Sequence, residues 1–174
     1  VDECGFLELS GNAPEEVELA RLLIELHPWA DMVRYARGGG DAMAVSVRIA
    51  RASTKKDIIL FSGYHGWHDW YLSANLSDLT ALDGQLLPGL KPDGVPRNLK
   101  GTSFPFFYNN EKEFLYLIEK YGDNVGGVVL EAIRNIKPTS KFFDTVMTET
   151  NRLGIPLIVD EVSSGFRMNC GGAH

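Results

Sequence analysis

Basic residues are few and unclustered, 17 against 23 acidic ones for a net charge of −6, so the chain lacks the concentrated Lys and Arg that neutralise nucleic-acid phosphates. Cysteine is scarcer still. Cys4 and Cys170 stand near opposite ends without paired spacing, which argues against a disulfide framework or a cysteine zinc site and leaves two free thiols as the expectation. No apolar run approaches the roughly 20 residues that span a bilayer, and no basic stretch followed by a hydrophobic core opens the chain. A cytoplasmic protein handling small molecules is the resulting expectation. Repeats and low-complexity segments are also lacking. What remains is 174 residues, 44% hydrophobic and 23% charged, the balance of one globular domain. Both ends read as cut, since the first residue is Val1 and the last stretch, from Met168 on, carries no helix or strand pattern.

The pattern along the chain points to alternating helices and strands. Residues 14–26 read as a helix on a surface groove: Pro14 suits the first turn, Glu15, Glu16 and Glu18 favour its positive end, and Leu19, Leu22, Leu23 and Leu26 recur at helical spacing. Residues 32–36 read as a short strand, Gly38-Gly39-Gly40 as a loop, and residues 41–52 as a second helix. Ile58-Ile59-Leu60-Phe61 is a continuous apolar run of the kind buried on both faces of a parallel sheet. Residues 72–101, rich in Gly, Pro, Asp and Asn, read as a long excursion with few regular elements. Helices follow at 111–121 and 141–153, and strands at 127–131 and 155–159. This alternation predicts an α/β layered domain with a mostly parallel sheet.

Three constellations could carry chemistry. Gly38-Gly39-Gly40 before a helix places bare amides where an anion can approach them, although any tight strand-to-helix turn is built the same way. It has neither the Gly-Lys-Ser/Thr of a P-loop nor the dinucleotide fingerprint that a nucleotide-binding Rossmann domain requires. Asp160-Glu161 emerges at the carboxyl end of an apolar strand, the edge where open α/β sheets bind ligands. A carboxylate with little water around it needs a partner, and magnesium, a sugar hydroxyl or a protonated pyridine nitrogen would serve. Tyr64-His65-Gly66-Trp67-His68-Asp69-Trp70 joins rings, imidazoles and a carboxylate. His65, His68 and Asp69 are possible metal ligands, but no further Cys or His cluster completes a site, so no metal is expected. Stacking on a flat ligand fits better, and core packing suits Trp67 and Trp70 best.

In order, Glu16-Val17-Glu18-Leu19-Ala20, residues 32–35, Asp41-Ala42, residues 48–52, Tyr64-His65-Gly66 and, most specifically, Asp160-Glu161-Val162-Ser163-Ser164-Gly165-Phe166-Arg167 resemble class III aminotransferases dependent on pyridoxal 5'-phosphate (PLP), among them the glutamate-1-semialdehyde aminomutase-like branch. The resemblance implies a partial large domain of the fold-type I transferases over residues 1–174, with 1–30 a leading segment and helix, and with the rest of that domain and the small domain absent. It implies amino transfer between an amino donor and a carbonyl compound, or an aminomutase variant, in a homodimer. By the same resemblance Asp160 pairs with the cofactor's ring nitrogen, Val162 and Tyr64 pack on the ring's two faces, and Gly39, Gly40 and the helix start at Asp41 hold its phosphate. His65, Glu131 and Asn135 join the cofactor-binding set, the last two toward the phenolic oxygen or the substrate.

The chain departs from that family at two points. Gly38-Gly39-Gly40 replaces the usual Ser-Gly-Thr, removing two hydroxyl donors, and no lysine follows Lys141, so the lysine that anchors the cofactor covalently is missing. The expectation is an inactive piece of a larger subunit, with a gap between the strand at 32–36 and that at 155–159 where two further strands would lie. The rival expectation is a non-catalytic α/β ligand-binding domain descended from such an enzyme.

Overall fold

The computed structural model describes residues 13–133 and 135–173. Its centre is a four-stranded sheet in the order β2-β1-β3-β4, comprising β1 (Ile58–Ser62), β2 (Ser103–Pro105), β3 (Val125–Glu131) and β4 (Leu157–Asp160). Every neighbouring pair is parallel. Around it lie α1 (Pro14–Leu26), α2 (Gly39–Thr54), the short α3 (Asp69–Leu72), α4 (Glu111–Tyr121) and α5 (Ser140–Leu153).

Parallel strands covered on both faces are apolar along most of their length, and β1, β3 and β4 are so up to their last residues, Ser62, Glu131 and Asp160. Successive side chains point to opposite faces, so Leu60, Val128 and Leu130 pack with Phe114, Phe142 and Val146 of α4 and α5. Ile59, Phe61 and Val129 instead pack with Met43 and Val47 of α2 and with Trp70, Tyr71 and Leu82 beyond β1. Local signals end the helices where the sheet needs them. Asn110 accepts the Glu113 amide at the start of α4, Thr139 accepts the Phe142 amide at the start of α5, and Gly154 closes α5 in the left-handed region at φ 61°.

The fold differs from the sequence expectation at residues 32–36, at the start of α2, at β2 and at Trp67. Residues 32–36 form no strand. They run beside the outer edge of β4, where Met32 and Val33 share a groove of about 420 Å³ with Trp29, Leu157 and Val159. Apolar composition alone cannot make a strand without a ladder partner, and among the described residues β4 pairs only with β3. Consequently the glycine loop follows irregular chain, and Gly39 and Gly40 already belong to α2. The short strand β2 was not anticipated, because three residues ending in proline carry too little periodicity. Trp67, read as core, is 69% exposed, whereas Trp70 is buried as expected.

One consequence of the register is that the three carboxyl ends come level. Ser62 stands opposite Leu130, and Glu131 opposite Asp160. Another is the close approach of α2 to β3, made at Gly126-Gly127. A Cβ on Gly126 would lie 2.5 Å from the Lys56 carbonyl oxygen, a backbone atom that cannot swing aside. Gly126→Ala is therefore expected to destabilise the protein by about 1–3 kcal/mol, read as a lower midpoint in urea unfolding.

Candidate functional site

Beyond the carboxyl ends of the strands a cleft of about 620 Å³ opens between the start of α2, the turn after β1, and the ends of β3 and β4. Gly39, Gly40, Asp41, Tyr64, His65, Glu131, Asp160 and Val162 all line it. Residues up to 123 positions apart in sequence thus converge, since Gly39 and Val162 share one wall. Asn135 does not join them. It lines a smaller adjoining cavity of about 170 Å³ with Ser62, Gln85, Tyr108 and Glu131, and among the described residues only Glu131 borders both spaces.

Asp160, the last residue of β4, is only 8% exposed. Both of its oxygens are bonded: the Val162 amide donates to Oδ1 at 3.0 Å, and Oδ2 lies 2.8 Å from His65 Nδ1. His65 is itself buried, with Nε2 3.1 Å from the Ser62 carbonyl oxygen. The carbonyl and the carboxylate both only accept, so a ring N–H on either side has an acceptor in place, and one given to the carboxylate is charge-assisted. The imidazole thus stands behind Asp160 and fixes its plane, while Trp70 packs against the imidazole at 6.2 Å with a 28° tilt. A carboxylate keeps about four acceptor positions, which leaves Asp160 able to receive a further N–H from the cleft.

The opposite requirement, bare donors for an anion, is met at α2. Its first intrahelical bond runs from the Ala42 amide to the Gly38 carbonyl. The amides of Gly39, Gly40 and Asp41 precede it and have no helical acceptor, at the end of the helix dipole that favours negative charge. Close neighbours explain why these residues are glycine. A Cβ on Gly39 would sit 2.6 Å from Val162 Cγ2, and one on Gly40 would sit 2.8 Å from the His68 ring.

Glu131 faces the cleft from β3. Its Oε2 accepts the Tyr64 amide at 3.4 Å, and it crowds Gly63, where φ is 111° and a Cβ would meet the carboxylate. Gln85 Oε1 accepts the Gly63 amide at 2.8 Å. Gln85, Tyr108 and His68 were not among the cofactor residues expected from sequence. The first two carry no motif, and His68 figured only as a possible metal ligand. Among the described residues no group of three or more His, Cys, Asp or Glu side chains could hold a metal ion. Cys170 is a free, exposed thiol, and Cys4 lies outside the described residues.

The family model described as aminotransferase class-III matches residues 8–173. A glutamate-1-semialdehyde 2,1-aminomutase of Methanobrevibacter smithii is 35% identical over 167 residues, which is 91% of this chain and 37% of that protein. The chain therefore spans little more than a third of the relative's length. Among solved structures, an omega-transaminase from Sphaerobacter thermophilus superposes with a TM-score of 0.77 at 27% identity, covering 94% of this chain and 39% of the other. A structure described as a transaminase with PLP bound gives 0.80 at 23% identity, covering 95% and 39%, and so shares the fold.

At the rim of the smaller cavity, burial and then the Glu131 charge push the Tyr108 phenol up to about 12. The phenol donates to the carbonyl oxygens of Glu131 at 2.7 Å and Ala132 at 3.0 Å. The folded value lies above the ordinary 10.0, so the fold favours the neutral form. Its stabilising contribution is complete below pH 10 and is lost as pH rises toward 12. The tyrosinate absorption assigned by difference to Tyr108→Phe is expected to appear near pH 12.

Proposed function

The chain belongs to the class-III aminotransferase family, and on that premise we propose that it forms the cofactor-binding wall of a PLP-dependent enzyme moving an amino group between an amino donor and a carbonyl compound. The observation that carries the reading is Asp160, a nearly buried carboxylate held on both oxygens at the end of β4 and still facing a cleft. An isolated carboxylate in that position is costly. The Val162 amide and His65 meet part of that cost, and a protonated ring nitrogen in the cleft would fill an acceptor position that remains.

The residues present fit the cofactor. Gly39 and Gly40 make a cradle that a Cβ would fill, and the free amides of α2 suit a phosphate. Tyr64 and Val162 border the same cleft and are assigned to the ring's faces. Glu131 is assigned to the edge carrying the phenolic oxygen, with Asn135 toward the substrate through the smaller cavity. Bound there, PLP supplies a ring that accepts electrons released when a neighbouring C–H bond breaks. Asp160 keeps the proton on the ring nitrogen, and His65 keeps Asp160 in the plane where it can do so. The aminomutase relative favours an amino-group shift within one substrate as a variant of the same chemistry.

The test is a PLP titration of the full chain followed by visible circular dichroism, which reports a chromophore fixed in an asymmetric site. Saturable binding is expected, with Asp160→Asn weakening it by about 10–100-fold, the effect of losing one charged hydrogen bond. A wild-type protein that gives no saturable signal overturns the reading.

A further inference from the structure

The glycine loop raises a question that the reading above leaves open: what replaces the two hydroxyl side chains absent from Gly38-Gly39-Gly40. The structure places one side chain against it. His68 stands over Gly40, with Cε1 and Nδ1 each 2.8 Å from where a Cβ would be, and Gly66 closes the other side, its own Cβ position 2.9 Å from the Gly40 Cα. Gly66 has φ 94°, the left-handed region open to glycine. The backbone of His68 is held by α3, since its carbonyl accepts the Tyr71 and Leu72 amides at 2.9 and 3.1 Å. Its Nδ1 is buried without a hydrogen-bond partner, and its Nε2 lies 3.0 Å from Asp41 Oδ1.

Asp41 is the third residue of α2. An acidic side chain there can fold back onto the first amides of its own helix, the same amides that would bind a phosphate. Its negative charge would also oppose a phosphate dianion nearby. The bond to His68 holds the carboxylate against the turn after β1 instead. We propose that His68 is a positioning residue of the phosphate subsite: its ring occupies the space a side chain on residue 40 would need, and its Nε2 keeps Asp41 from competing for the loop amides. Gly40 and His68 are then a matched pair, in which a bare residue in the loop is required by, and compensated by, a ring in the following turn.

This rests on the PLP reading, and the experiment separates the two. The full chain and its variants are titrated with PLP, with pyridoxal, which lacks the phosphate, and with inorganic phosphate as competitor. His68→Ala is expected to weaken PLP binding by about 10-fold, the scale of one charge-assisted contact, and to leave pyridoxal binding unchanged. Gly40→Thr alone collides with the ring and weakens PLP binding, whereas Gly40→Thr with His68→Ala binds PLP more tightly than either single variant. His68→Gln, which keeps a donor toward Asp41, retains the preference for PLP over pyridoxal and covers the case in which His68→Ala fails to fold. Equal losses for PLP and pyridoxal, unchanged PLP binding in His68→Ala, or losses that add in the double variant each overturn the proposal while leaving the PLP reading in place. No saturable PLP binding by the wild type removes both.

Discussion

A carboxylate that is almost entirely out of water must have its charge met, and in this fold everything around the cleft follows from how Asp160 meets it. The Val162 amide takes one oxygen and His65 the other, while the second nitrogen of His65 lies against the Ser62 carbonyl. That carbonyl ends β1, and Asp160 ends β4, with β3 between them in a parallel register that brings the strand ends level. The geometry of the site is thus a property of the sheet. Its loops supply chemistry, but the distances are set by strand pairing and by the two apolar layers that hold the sheet against its helices.

Glycine does the complementary work. Gly126 and Gly127 let α2 lie close on β3, which carries the helix start toward the strand ends, and Gly39, Gly40 and Gly66 then let three segments meet with almost no space between them. Each of these positions is explained by a named neighbour. A single methyl group at several of them would push apart the elements whose closeness makes the anion-binding wall.

Much of this was legible in the sequence. Helices α1, α2, α4 and α5 show the 3.6-residue period or its capping signals, and the buried runs in β1 and β3 show the unbroken apolar character of parallel strands. Gly39, Gly40, Asp41, Tyr64, His65, Glu131, Asp160 and Val162 could be gathered before any coordinates because the family's motifs mark them, and all eight line one cleft. What escaped were features that depend on a partner far along the chain. Residues 32–36 look like a strand until one asks what would pair with them, and β2 is too short to announce itself. Trp67 and Trp70 are three residues apart with the same side chain, yet one is exposed and one buried, because Trp70 lies in α3 against Phe61 and His65 while Trp67 precedes that helix at the cleft. Asn135 follows β3 too closely in sequence to be told from its neighbours, and the direction of the chain past Glu131 puts it in the smaller cavity.

Glu131 is the party wall between two chambers. Its carboxylate takes the Tyr64 amide on one side, its backbone carbonyl takes the Tyr108 hydroxyl, and the bare Gly63 beside it leaves the space that the carboxylate fills. Whatever fills either room therefore meets the same acid, so the shape of one is drawn partly by a residue that also furnishes the other.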